Sequence, residues 1–66
     1  MLKTYIFGQV KNPAMKTVEA PYIRAAILAF ADMMGASVEE KSIYDEDYAT
    51  VVFITDKLTH YIVQSV

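Results

Sequence analysis

The chain has 66 residues, a net charge of −2 and no cysteine, and 55% of its residues are hydrophobic. This length predicts one domain spanning residues 1–66, and the apolar content argues against disorder. Without cysteine there is no disulfide or thiolate metal site, and a single histidine does not favour zinc. The acidic balance offers no basic surface for nucleic acid.

A domain of this size gains limited stability from its own core. Near 60 residues, folding buries only about 60% of the unfolded surface, and small domains usually add a disulfide, a metal or a partner. A partner chain is therefore the expected source of extra buried area. No apolar run approaches the roughly 20 residues of a membrane span, and residues 1–4 lack a signal-peptide core, so we expect a cytoplasmic protein without a cofactor.

The first 20 residues are typical of a β-hairpin. Residues 2–10 and 15–20 contain good strand formers, and residues 11–14 predict the turn between them. Pro13 is assigned to the turn because proline cannot donate a hydrogen bond inside a central strand.

The next segment predicts one amphipathic helix over residues 21–34. Pro21 suits the first helical position, where a missing N–H does no harm, and Gly35 suits a left-handed C-cap. Apolar residues recur at helical spacing along one face: Ile23, Ala26, Ile27, Phe30 and Met34.

Three further strands are predicted over residues 38–44, 48–55 and 58–66. The order is then β-β-α-β-β-β, which indicates an α+β fold of two layers, an antiparallel sheet packed on one amphipathic helix. The side chains expected in its core are Ile6, Val18, Ile23, Ile27, Phe30, Met34, Val51 and Phe53.

Both faces of the predicted sheet carry apolar side chains. Successive residues of a strand point to opposite faces, so Val51 and Phe53 oppose Val52 and Ile54. The first and last strands behave likewise: Leu2, Ile6 and Val10 oppose Tyr5 and Phe7, and Leu58 and Ile62 oppose Tyr61 and Val63. One helix about 21 Å long covers one face only.

The second face is therefore expected to bind a protein partner, and a second copy of the chain is the simplest one. The alternative is that the last strand curls over this face and the chain is a monomer. Aromatic side chains offer large contact areas at interfaces, and the aromatic residues predicted to contact the partner are Tyr5, Phe7, Tyr48 and Tyr61.

An acidic turn, Asp45-Glu46-Asp47, precedes the strongest strand. These carboxylates either solvate a turn or supply charge complementarity to a basic partner. Their spacing does not match an EF-hand, so no metal ligand is predicted.

No catalytic residue is predicted. His60 is the only histidine and could act as a general base, but no serine lies in a nucleophile-elbow context. Gly8 and Gly35 are the only glycines and do not form a phosphate loop. An enzyme is thus less favoured than a binding protein, and the alternative is a small-ligand-binding protein or an enzyme whose site forms between subunits.

The outline of the chain carries one resemblance. A strand, a second strand that ends in Val18-Glu19-Ala20, an alanine-rich helix that closes on Gly35, and then a meander resemble small phage-encoded accessory proteins, including some anti-CRISPR proteins. The resemblance covers most of the chain but is topological, and it brings no binding motif. It implies a small inhibitor of a host protein complex, beside the self-associating module that the apolar pattern favours.

Overall fold

A computed structural model describes residues 1–39 and 43–66 of the chain. The elements are, in order, β1 (Lys3–Gln9), β2 (Asn12–Ala20), α1 (Ile23–Met34), β3 (Ser37–Val38), β4 (Ile43–Tyr44), β5 (Tyr48–Ile54) and β6 (Leu58–Ser65). They form the α+β fold predicted from the sequence, an antiparallel sheet packed on one helix.

The sheet has the strand order β2-β1-β6-β5, and β3 and β4 both pair with the free edge of β5. β6 therefore lies between β1 and β5. The strand predicted over residues 38–44 is replaced by two short segments on this edge, and its middle, residues 40–42, lies outside the described residues. A backbone hydrogen bond of 2.9 Å from Glu39 N to Val52 O continues the pairing beyond β3.

The β1–β2 hairpin turns earlier and more tightly than predicted. The turn is Val10-Lys11, and Asn12 and Pro13 already belong to β2. Pro13 is tolerated there because β2 is an edge strand, whose outer N–H groups are not needed for pairing. The register shifts after the pair Phe7–Lys16, and the next pair is Gln9–Asn12. One residue of β1, Gly8, therefore faces three residues of β2, 13–15, so the extra residues of this β-bulge lie in β2.

The helix begins two residues later than predicted. Pro21 precedes it, and Tyr22 is the N-cap, with an extended backbone and no side-chain hydrogen bond to the first turn. The predicted C-cap is confirmed: Gly35 has φ 65° and ψ 36°. Ala36 N donates to Ala31 O at 2.8 Å, which satisfies a carbonyl that the helix leaves unpaired.

Phe30 of α1 inserts among aromatic rings of the sheet. Its ring stacks on Phe7, with centroids 4.3 Å apart, and meets Phe53 and Tyr61 edge-on at 5.4 and 5.3 Å. Such geometries are favourable for the ring quadrupoles beyond the area they bury. The packing of β1, β5 and β6 on the helix is thus centred on one side chain.

The predicted core is confirmed in part. Ile23, Ile27, Phe30, Val51 and Phe53 are buried, whereas Val18 and Met34 are partly buried at its margin. Ile6 was wrongly assigned to the core. It lies on the side of the sheet away from α1, because Tyr5 and Phe7, its neighbours in β1, point toward the helix.

Candidate interaction surface

The two faces of the sheet differ sharply in burial. The face toward α1, here the inner face, is buried along the three central strands, with Phe7, Val63 and Ala49 in one cross-strand row. The opposite face, here the outer face, is not covered by α1. Its apolar side chains form what we call the outer patch: Ile6, Tyr48, Val52, Ile54, Leu58 and Ile62.

The outer patch is continuous across β1, β6 and β5. Ile62 pairs with Gly8 on one side and Thr50 on the other, and Leu58 pairs with Ile54. Three of its side chains are exposed (Leu58 61%, Tyr48 45%, Ile54 37%), and the other three are half-buried by their neighbours in the sheet. The predicted division of β5 and β6 into two apolar sets is therefore confirmed.

Polar residues of the outer face are almost all uncharged. Thr4, Thr50, His60 and Gln64 lie among the apolar residues. In the described strands β1, β5 and β6, no residue that points away from α1 is Asp, Glu, Lys or Arg. Depletion of charge together with exposed apolar side chains is the composition found at the centre of protein interfaces.

The β2 bulge opposite Gly8 and the turn between β1 and β2 shape one end of this surface. Gln9 Nε2 donates a hydrogen bond of 3.3 Å to His60 O, which holds the turn against β6. The result is a mostly apolar groove of about 200 Å³, lined by Gln9, Val10, Thr50, Val52, His60 and Ile62. The chain thus covers part of its outer face at this end and leaves the rest open.

Three of the four aromatic residues predicted to contact a partner are inaccessible. Tyr5 is 1%, Phe7 0% and Tyr61 9% exposed, because all three belong to the inner face under α1. As contact residues they are corrected to core residues. Only Tyr48 lies on the outer face and is exposed.

The contact residues that sequence reasoning missed are aliphatic. Alternation along the strands correctly separates four aliphatic residues from those on the other face: Val52, Ile54, Leu58 and Ile62. The sequence analysis nevertheless favours aromatic side chains as contacts. A signal was available in the sequence: within each of these strands the large rings fall on one face and the aliphatic side chains on the other. The rings are Tyr5 and Phe7 in β1, Phe53 in β5 and Tyr61 in β6. The face with the larger rings buries more area when the single helix packs on it.

The acidic turn is exposed, as its sequence indicated. Asp45 Oδ1 accepts a hydrogen bond from Glu46 N at 2.8 Å, and Asp47 Oδ1 accepts one from Ser65 Oγ at 3.0 Å. Lys3 Nζ lies 4.0 Å from Asp47 Oδ1. These contacts organise the turn at one end of the sheet, outside the outer patch.

The described residues offer little for catalysis or metal binding. They contain no group of three or more His, Cys, Asp or Glu side chains placed to hold a metal ion. A second concavity, beside the helix, is bounded by Arg24, Asp32 and Glu39, but Arg24 and Asp32 are exposed rather than converging inside an enclosed site. The described residues contain one helix, and its 12 residues are too few to cross a lipid bilayer.

Comparison with known proteins adds no relative. No protein-family model, curated protein or solved structure matched the chain. The outer patch therefore has to be interpreted from its own composition and geometry.

Proposed function

We propose that the chain is a small protein–protein interaction module that uses its outer patch to associate with a second copy of itself. The observation that carries this proposal is the uncharged, partly exposed apolar surface on β1, β5 and β6, opposite the only described helix. Each large apolar side chain left in water forgoes roughly 1.5–3 kcal/mol of burial. A second sheet packed on this face would recover part of that free energy.

The size of the outer face follows from the dimensions of the sheet. Three strands about 5 Å apart and about seven residues long give it a footprint of roughly 350 Å².

The same area predicts that the association is weak. Two such footprints bury less than the roughly 1,200 Å² below which complexes are usually transient. We therefore expect a weak dimer whose Kd is micromolar or higher. The absence of charge on the outer patch favours a second copy, because an identical uncharged face needs no complementary charge pattern.

Edge-to-edge pairing through β2 is a less suitable route to a dimer. The exposed half of β2 carries Pro13 and Lys16, and the bulge lies within it, opposite Gly8 of β1. Proline, lysine and bulges are the features that protect edge strands from pairing with other chains. Face-to-face packing of the sheets avoids this edge.

Two leucines of similar exposure provide a matched test. Leu58 lies in the outer patch, whereas Leu28, which is 52% exposed, lies on the outer surface of α1. In sedimentation equilibrium from about 10 μM to 1 mM, we expect Leu58→Glu to raise the dimer Kd at least tenfold, since two copies lose an apolar contact. Leu28→Glu should leave Kd within about twofold. A wild-type chain that stays monomeric throughout would overturn self-association.

A second candidate is an inhibitor of a host protein complex, of the phage-encoded type that the chain's outline resembles. The observation that favours it is the exposed acidic turn formed by Asp45, Glu46 and Asp47 beside the sheet. It would bind a basic partner with an affinity that falls as salt rises. Neutralising the three carboxylates should then abolish binding, whereas the homodimer should be unaffected.

A small-ligand-binding protein or an enzyme with a site between subunits is the remaining alternative. The groove beside His60 is its location, because it combines apolar walls with a few polar groups. At about 200 Å³ the groove is smaller than the 300–1,000 Å³ of typical ligand pockets. The ligand-binding or enzyme alternative requires a second copy to complete the site. A strictly monomeric chain would therefore overturn this alternative as well as self-association.

A further inference from the structure

We propose that protonation of His60 separates the two copies, so that association through the outer patch is sensitive to pH. This inference rests on the proposed self-association. His60 is exposed and lies in β6 between Leu58 and Ile62, with Val52 opposite it in β5. A second sheet that covers this part of the patch would remove the imidazole from water.

Burial of the ring favours its neutral form. Charged groups are costly to desolvate unless they gain a partner. Histidine is the side chain that ordinarily changes charge between pH 5 and 8. The ring of His60 has no hydrogen bond or ion pair with any described residue, since only its backbone oxygen is engaged, by Gln9.

Among the described residues, no carboxylate lies on the outer face of β6 or of the two strands that pair with it. From β1 the outer face presents no titratable side chain, and from β5 it presents only Tyr48. Glu19 of β2 points to the same face but lies two strands away. Glu39 follows β3 and lies beside Val52, so it too is two strands from His60, in the same cross-strand row. Lys11, in the turn after Gln9, is a cation and would not stabilise a charged ring. Asp56 and Lys57 lie in the turn beyond Leu58, the Lys3–Asp47 pair lies at the other end of the sheet, and α1 packs on the opposite face.

A two-fold arrangement doubles the effect. Each copy contributes one histidine to the interface, so two rings would have to be charged in the dimer at low pH. The dimer then binds fewer protons than two free chains, and association weakens as pH falls. If each ring must be neutral, two groups with the ordinary pKa of histidine would raise Kd on the order of 70-fold between pH 7.0 and 5.5.

The sequence allows a change in Kd over this pH range to be assigned to one side chain. His60 is the only histidine, and over pH 7.0 to 5.5 the carboxylates stay largely ionised and the amino terminus stays charged. Sedimentation at constant ionic strength should give this rise in Kd, on the order of 70-fold, for the wild type. His60→Gln should dimerise at both pH values with Kd constant within about threefold, and His60→Lys should be monomeric at both.

A spectroscopic readout adds an independent check. By linkage, the NMR titration midpoint of the His60 ring protons should move to lower pH as protein concentration rises. Circular dichroism at pH 5.5 verifies that the chain is still folded. A dimer whose Kd is unchanged at pH 5.5, or the same loss in His60→Gln, would overturn this inference and leave the proposed function standing. Wild type and His60→Gln that are both monomeric at pH 7.0 would overturn the two together.

Discussion

The backbone of Pro13 lies directly over Gly8, in the space that a Cβ atom on Gly8 would occupy. This close approach fixes the bulge of β2 over Gly8 and the position of the turn between β1 and β2. Because Gln9 and Val10 of that turn line the groove on the outer face, the absence of a side chain at residue 8 shapes the candidate interaction surface as well as the hairpin.

We expect Gly8→Ala to destabilise the chain by about 1–3 kcal/mol, the usual cost of forcing extra atoms into packed structure. The obstacle is backbone, which cannot move aside as a side chain can. The measurement is urea unfolding followed by circular dichroism. Gly35→Ala is the contrasting variant: its Cβ meets nothing within 4 Å, so it carries only the left-handed strain and should leave the NMR shifts of the hairpin unchanged.

The uncapped start of α1 predicts a stabilising substitution. Tyr22 is the N-cap and is exposed, but its side chain makes no hydrogen bond to the first turn, and that turn contains no acidic residue. Tyr22→Asp should increase the free energy of unfolding by about 1 kcal/mol, because a carboxylate can accept from the free N–H groups and favour the helix dipole. Tyr22→Ala removes the same ring without providing a cap, and it should not stabilise.

The reassignment of the tyrosines can be tested by stability alone. Tyr5→Ala should lower the free energy of unfolding by about 3 kcal/mol or more, because it empties a buried position. Tyr48→Ala should change it by less than about 1 kcal/mol, since this ring lies at the surface. Equal effects of the two substitutions in thermal unfolding would contradict the division into inner and outer faces.

The acidic turn should contribute little to folding. The Lys3–Asp47 pair is long and exposed on both sides, and such pairs contribute about 0–1 kcal/mol. Asp47→Asn keeps an acceptor for Ser65 Oγ and should change the free energy of unfolding by no more than about 1 kcal/mol. Chemical denaturation at low and high salt measures this, and a larger loss would mean that the turn is part of the stable core of the fold.

The alternation along the strands allowed much of the fold to be predicted. The opposed sets in β5 and β6 were assigned correctly, and so was the apolar face of the helix from Ile23 to Phe30. In β1 the assignment holds for Ile6 against its two neighbours, whereas Leu2 and Val10 lie outside the strand. What alternation leaves open is which of two apolar sets faces the helix. Ile6 and Tyr5 are both good strand residues, and only the packing of Phe30 against Phe7, Phe53 and Tyr61 decides between them.

The hairpin and the interaction surface were harder to predict for a related reason. Pro13 indicates a turn or an edge strand, and the choice depends on the position of β2 in the sheet, which local sequence does not give. The sequence indicates no role for His60 other than that of a possible general base. Its position opposite Val52 and beside the groove follows from the pairing of β5 with β6, a relation that exists only in the folded chain.

The pairing of β1 with β6 has a consequence for how the protein is made. Tyr5 lies opposite Ser65, and Val66 N donates to Thr4 O at 2.9 Å, so segments about 60 positions apart in the printed sequence are neighbours. During translation the hairpin and helix are synthesised first, and the sheet cannot be completed until β6, the strand between β1 and β5, has emerged. A nascent chain or a truncated product that lacks it would expose both rows of unpaired backbone groups and become a target for chaperones and proteases.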